Sequence, residues 1–474
     1  MPGKGYSVIR LTSGFPSSRT VTIIMTSHQH SALLRQSRLT LAVALVAATA
    51  TSVQAAPPAF QDVRALGMGG TGVAAARPSG AALFNPSLLA ADHSGWNDGF
   101  AVTLPSINAR VAENEEVADE IDQIQDTVEQ LETSINTAVN SNNPSFSDIE
   151  AAQNDAATLA EQLRSINQES MRVDAGVGTL FAIPSPKLAV GMHVNAQLRA
   201  TVQGRIDDND TGALQDFADL DPNTATRTDI ENALAPIYDS NTDQVDSLQS
   251  DGRVLASAVS EIGLSIARRF SIQGQDVNIG VTPKMVQMRT FDYVQNVNDF
   301  DEDDFDASDF ETEDTHLNVD IGASTQLGAE NQWQLGASIR NLIPQTLKTV
   351  ENNNSLVYGQ EEMKLDPQVT VGVAHSSSWH TLTADLDLTK NEGIGPAGDR
   401  QFVSLGGEFN VYDWVNVRAG ARQNLASDTG DDGIEEETQF TAGLALSPWA
   451  LRVELGALVS SEEVGAAAEL GMSF

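Results

Sequence analysis

From about Gly99 to the last residue, apolar side chains alternate one for one with polar or small ones, and this period of two constrains the chain more than any other feature. Leu382, Ala384, Leu386 and Leu388 interleave with Thr383, Asp385 and Asp387, and Val415, Val417, Ala419 and Ala421 with Asn416, Arg418, Gly420 and Arg422. Leu451, Val453, Leu455 and Ala457 interleave with Arg452, Glu454 and Gly456. Successive side chains point to opposite sides of a strand, so each segment has one apolar and one polar face. The pattern predicts about fourteen strands, most of them roughly ten residues long, the length that crosses a bilayer when tilted. The expected spans are 98–111, 173–184, 187–205, 254–270, 277–294, 315–327, 332–341, 367–375, 379–389, 401–411, 414–424, 438–446, 449–459 and 464–474.

The connections alternate short and long. Short ones fall near Ser185-Pro186, Gln273-Gly274-Gln275, Glu330-Asn331, Ser376-Ser377, Tyr412-Asp413 and Ser447-Pro448. Long polar ones fall near 112–172, 206–253, 295–314, 342–366, 390–400 and 425–437. Outer-membrane barrels have short periplasmic turns and longer external loops, whereas a β-sandwich has no reason to keep this parity. Tryptophan agrees: Trp333, Trp379, Trp414 and Trp449 each open a strand after a short turn, and Trp96 sits just before the first strand. All five map to one rim, as expected of an interfacial girdle. The chain stops at Phe474, with Leu470 and Met472 on the same strand face, which resembles the signal read by the outer-membrane assembly machinery.

Composition sets the remaining limits. Hydrophobic residues at 41% suffice for a barrel, which needs an apolar group only at alternate positions. The net charge of −38 argues against binding nucleic-acid phosphates. The absence of cysteine excludes thiolate zinc sites, disulfides and thiol nucleophiles. Arg35 and Arg38 precede an apolar run from Leu39 to Ala50, and Val53 and Ala55 then occupy small-residue cleavage positions. This is the layout of a secretory signal peptide, with residues 1–55 as upstream extension plus signal and a mature chain from near Ala56.

Two regions break the alternation. Within the insertion 112–172, Val117, Ile121, Ile124, Val128, Leu131, Ile135 and Val139 recur at helical spacing, and after Asn142-Asn143-Pro144 so do Ile149, Ala152, Ala156, Leu159, Leu163 and Ile166. This predicts an external α-helical hairpin, with Ser147 and Glu150 as a capping box. It reads either as a loop packed on itself or as a partner-binding coiled coil. Residues 56–97 form a small N-terminal plug or hatch, rich in the small residues that let backbones approach closely: Gly69, Gly70 and Gly72, then Phe84, Asn85 and Pro86. The barrel proper is 98–474.

Ala65-Leu-Gly-Met-Gly-Gly-Thr-Gly-Val-Ala74, followed by Ala81-Ala-Leu-Phe-Asn-Pro-Ser-Leu-Leu-Ala90, resembles the N-terminal segment of TraF-type conjugal (plasmid) transfer outer-membrane proteins. These are similar to the wider FadL-type channels for long-chain fatty acids and other hydrophobic compounds. In that wider group an Asn-Pro-Ala element marks a plug inside a fourteen-stranded barrel; here Asn85 and Pro86 match and Ser87 replaces Ala. The resemblance implies an all-β transmembrane antiparallel barrel in a Gram-negative outer membrane, in contact with lipid and lipopolysaccharide. Its partner is expected to be a conjugation component or, alternatively, a hydrophobic small molecule. No catalytic motif, metal site or cofactor loop is recognised, and the seven histidines are scattered. The acidic run Asp299–Asp306 reads either as a solvated face or as a calcium ligand set. Arg340, Asp385, Asp387, Glu408, Arg418, Arg422 and Glu454 are expected to face the lumen, pairing across strands or forming a selectivity constriction.

Overall fold

The computed structural model describes residues 62–473 except 94–98, 114–116, 141–144, 168–169, 225, 238–247, 297–306, 329, 352–358, 427–433, 435 and 437. It also describes a short antiparallel pair, Tyr6–Arg10 with Thr22–Thr26. The expected cleavage site, Trp96, the run Asp299–Asp306 and Phe474 lie outside the described residues.

The alternating segments form fourteen strands: β1 Ala101–Glu113, β2 Ser170–Ile183, β3 Ala189–Arg205, β4 Asp251–Ile272, β5 Gln275–Asn296, β6 Glu311–Leu327 and β7 Trp333–Arg340. They continue with β8 Gln368–Ser376, β9 His380–Asp387, β10 Phe402–Tyr412, β11 Val415–Asn424, β12 Gln439–Leu446, β13 Leu451–Val459 and β14 Glu463–Ser473. Each pairs antiparallel with the next, and β14 returns to β1, so the sheet closes into a barrel. Closure leaves no unpaired edge, which a bilayer without water demands. The expected spans agree with these to within four residues. Two strands are clearly longer than expected: β4 and β5 each run 22 residues.

The faces are inverted relative to a water-soluble protein. On β4, Ile262, Leu264 and Ile266 are exposed while Glu261 and Ser265 are buried. On β13, Leu451, Leu455 and Val459 are exposed while Arg452 and Glu454 are buried. Apolar residues outside and polar residues inside a closed cylinder form the belt of a membrane-spanning barrel. Trp333, Trp379, Trp414 and Trp449 are all exposed at the short-turn end, Trp449 at 98% in a left-handed turn with φ 60.

The long-loop end carries more structure than the sequence suggests. Helices α3 Val117–Asn140 and α4 Phe146–Ser165 link β1 to β2. The β3–β4 segment, read as polar loop, also contains helices, α5 Asp208–Ala218 and α6 Arg227–Leu234 (α1 and α2 belong to the N-terminal segment below). The two insertions share one core, in which Leu131, Ile135, Leu159 and Leu163 meet Leu214, Phe217, Ile230 and Leu234. Gln153 Nε2 donates to the carbonyls of Phe217 and Leu220 at 3.0 and 2.7 Å, joining α4 to the end of α5. The apolar face of α5 and α6 fits residues about fifty positions away, so its short acidic helices show no periodicity on their own. The capping box also differs from expectation. It is Ser145 with Asp148, because the backbone is still extended at Ser145 (φ −76, ψ 155) and turns helical immediately after it. Ser147 instead sits 2.8 Å from the Ser145 hydroxyl. The expected loop 342–366 contains a small hairpin, Gln345–Lys348 with Glu362–Leu365. Met363, Leu365 and Ile394 pack onto inward-facing Leu255, Val259, Val286 and Met288, which fills the lumen beneath these loops.

Candidate functional site

Residues 62–91 are buried inside the barrel, as α1 Val63–Leu66, α2 Pro78–Phe84 and a 3-10 turn Pro86–Ala90. Small residues allow this on both sides of the contact. Glycines of the wall stand directly opposite one another on adjacent strands: Gly280 with Gly322, Gly336 with Gly372, Gly406 with Gly420, and Gly443 with Gly456. A Cβ built at Gly280 would lie 2.4 Å from Pro86 C, one at Gly336 2.2 Å from Val73 O, and one at Gly420 2.2 Å from Gly69 N. The wall is therefore notched where the segment's backbone passes. The notches occupy strands from β5 round to β13, so the segment is encircled. Sequence reasoning noticed the segment's glycines and missed these, because a glycine on the polar face of an alternating strand reads as neutral.

Each residue of the N-terminal motif has a specific task. Gly69 adopts φ +70, and a Cβ there would meet Leu405 O at 2.7 Å and Ala421 O at 2.8 Å. Gly70 is also left-handed, at φ +86. Gly72 lies under the Phe84 ring, 2.4 Å from where its Cβ would be. Asn85 is fully buried; its Nδ2 donates to Val73 O at 2.9 Å and to Ala323 O on β6 at 3.2 Å, while its Oδ1 accepts from Ser87 N. Pro86 begins the 3-10 turn, where its missing N–H costs nothing. Ser87, the departure from Asn-Pro-Ala, donates to Asn85 Oδ1 at 2.7 Å, and its Oγ lies 2.9 Å from Ser324 Oγ on β6. The extra hydroxyl thus has a partner in the wall.

Charge fixes the segment as well. Arg64 grips Glu408 through Nε and Nη2 at 3.1 and 3.2 Å, and Arg77 donates to Glu454 at 3.0 Å and Glu408 at 3.1 Å. Arg418 lies directly across from Glu408 and donates to it at 2.7 Å; it also reaches Glu454 on β13, two strands further on. Arg452 joins Glu454 to Glu469, which accepts from Val63 N at 3.3 Å. Burial pushes the Arg77 guanidinium down to about 10, with the carboxylates of Glu408 and Glu454 opposing that shift. Arg64, Arg77 and Glu469 were not singled out from the sequence. The signal was present in two isolated arginines within a stretch of small residues.

The other expected lumen residues divide. Asp385 Oδ2 accepts from Gly72 N and Val73 N, so it holds the segment rather than a wall cation. Asp387 accepts from Thr370 Oγ1 and Phe402 N, a bond within the wall. Arg422 donates to Gln439 and lies over the Phe402 ring at 4.5 Å. Arg340 lines a cavity of about 30 Å³ with Gln197, Arg199, Glu261, Asn341 and Arg400. Near it, Glu436 of the last long loop accepts from Arg199 at 2.7 Å and pairs with Arg400 at 2.8 Å. Burial acts to raise the Glu436 carboxyl, but Arg172, Arg199 and Arg110 hold it below the ordinary carboxylate range. His375 and His380 stack across a short turn, with Nδ1 and Nε2 3.0 Å apart. Among the described residues, no cluster of three His, Asp or Glu is placed to hold a metal ion.

Among solved structures the chain is similar to a ΔS2S3 mutant of the TodX monoaromatic hydrocarbon channel, at 12% identity over 87% of this chain and 99% of that chain, with a TM-score of 0.49. It is similar to the P. putida toluene transporter TodX at 10% identity over 88% and 99%, TM-score 0.48. It is also similar to a Pseudomonas aeruginosa FadL homologue at 10% identity over 89% and 99%, TM-score 0.48. No curated protein matches the chain. Residues 82–387, which run from inside α2 through β9, match the family described as F plasmid transfer operon, TraF, protein, and the chain belongs to that family.

Proposed function

We propose that this chain is an outer-membrane component of conjugal plasmid transfer that acts through its helical cap, while residues 56–97 serve as a plug that keeps its own lumen shut. The family match over residues 82–387 carries this reading. The filled lumen supports it: the plug is tied to the wall by paired charges, and the cavity above it, about 30 Å³, is small and lined by charged Arg199, Arg340 and Glu261 together with Val259 and Ile394. Passage of a fatty acid or other hydrophobic compound calls for an apolar lining and a larger space. The cap stands on the long-loop side, which in this class of barrel is external, beside lipopolysaccharide. We read the protein as non-catalytic and exported by its signal peptide.

Deleting the gene in a plasmid-bearing host tests the role. Transfer frequency should fall and be restored by the intact gene. A variant lacking α3 and α4 but still inserted in the outer membrane should fail to restore it. Unchanged transfer after deletion would overturn the proposal. Uptake of a hydrophobic compound that depends on the gene would favour the channel reading instead.

A further inference from the structure

Charge is distributed unevenly along the lumen. In the layer that holds the N-terminal segment, Arg64, Arg77, Arg418 and Arg452 meet Asp62, Glu408, Glu454 and Glu469, one carboxylate for each guanidinium. Toward the long-loop mouth the balance fails. Among the described residues, Arg110, Arg172, Arg199, Arg400 and Arg422 cluster there with Asp174, Glu436 and Glu463. Among the described residues, five guanidiniums there share three carboxylates, in a chain whose net charge is −38. A buried charge without a partner is strongly unfavourable.

The cavity adjoins this cluster. Arg199 and Arg400 already converge on one oxygen of Glu436, and both line the cavity with Arg340. Arg199 is 1% exposed and Asn341 2%. Arg199 Nη1, Arg340 Nε and Asn341 Oδ1 are buried with no hydrogen-bond partner. Glu261, on the neighbouring strand β4, also lines the cavity; Lys284 engages it at 2.7 Å and Arg340 attracts it. Residues with unused guanidinium N–H groups thus line a space that holds about two water molecules, the bulk of one small planar anion. Turning the Asn341 amide over adds a further donor.

We propose that this cavity binds a small oxyanion of carboxylate size, held by Arg199, Arg340 and Arg400. Guanidinium forks suit planar oxyanions because two parallel N–H groups match two oxygens. The ligand accepts from the unused N–H groups of these side chains and joins β3, β7 and the loop before β10.

The test uses the full chain folded in zwitterionic detergent at low salt, with formate as the probe. Calorimetric titration should show saturable binding at one site, and formate should raise the melting midpoint. Arg340→Gln should weaken binding about tenfold or more, the loss of one charge-assisted contact. Where that variant loses its heat-modifiable fold, Asn341→Asp, which sets a carboxylate at the rim, should give the same loss. Octanoate carries the same head on a chain the cavity cannot hold, and should bind no more tightly than formate. Absence of saturable formate binding, or binding unchanged in the folded variant, overturns the proposal. So does octanoate binding without formate binding, which would place the ligand elsewhere in the lumen.

Discussion

Asp385 on β9 and Gly72 in the N-terminal segment are joined by a hydrogen bond of 2.7 Å, and the same carboxylate oxygen accepts the next backbone N–H, that of Val73, at 2.9 Å. Two buried donors thus depend on one wall side chain. Asp385→Ala should leave both unsatisfied, at a cost of about 1–3 kcal/mol for each. Asp385→Asn keeps an acceptor and should cost less. Chemical denaturation in detergent, with limited proteolysis of the segment, reads both; equal stability of wild type and Asp385→Ala would remove the tether from the account.

Gly420→Ala should act through space alone. Its new methyl would fall 2.2 Å from Gly69 N, so the segment or β11 must shift. Overpacking of this kind costs about 1–3 kcal/mol. Gly252→Ala is the comparison, since nothing lies within 4 Å of a Cβ there. The first should lower the heat-shift temperature on gels and the second should leave it in place. Equal behaviour would mean that the notches are not required.

Leu264→Arg tests the outer belt. Leu264 is exposed on β4 between Ile262 and Ile266, facing lipid. An arginine near the bilayer midplane costs about 2–4 kcal/mol in barrels of this class. Folding yield into lipid vesicles should drop accordingly, while the same change on a long-loop residue such as Asn209 should have little effect. Normal insertion of Leu264→Arg would argue against a lipid-facing β4.

The helical cap should respond to acid. Hydrogen bonds from the Ser145 hydroxyl and backbone N–H hold the Asp148 carboxyl below its ordinary value, and Thr226 does the same for Asp229. A carboxyl depressed in the folded state contributes stability above its unfolded pKa, and that contribution disappears as pH falls through the folded value. Amide exchange in the first turns of α4 and α6 should therefore accelerate below about pH 4. In Asp148→Asn, the α4 amides should exchange fast already at neutral pH and lose most of this dependence.

The barrel was legible in the sequence because its rule is local. Alternation on one strand, as at Leu382–Leu388 or Leu451–Ala457, reveals an inside and an outside without knowledge of any neighbour. Turn parity and tryptophan position supplied the closure and the rim. What was not legible depends on partners distant along the chain. Phe217 and Leu234 have an apolar face only within the core shared by α3 to α6, and the Ser87 hydroxyl finds its wall partner in Ser324. Pairs such as Gly336–Gly372 have meaning only once a backbone is placed between them. The lumen charges illustrate both sides: Glu408 and Arg418 pair across adjacent strands as cross-strand logic suggests, whereas Asp385 and Glu454 also serve groups that lie outside the sheet's own register.

The notched wall bears on how the molecule is assembled. The segment's seats are distributed from β3, where Leu89 lies over Gly191, round to Gly456 on β13, so they come together only when the sheet has curled. On a flat sheet they would be spread over about ten strand spacings, roughly 48 Å, instead of facing one another across a lumen. Occupying them therefore rewards curvature, and rolling the sheet raises the segment's affinity for it. The segment precedes every barrel strand in the sequence and is in this sense a mandrel on which the tube can close.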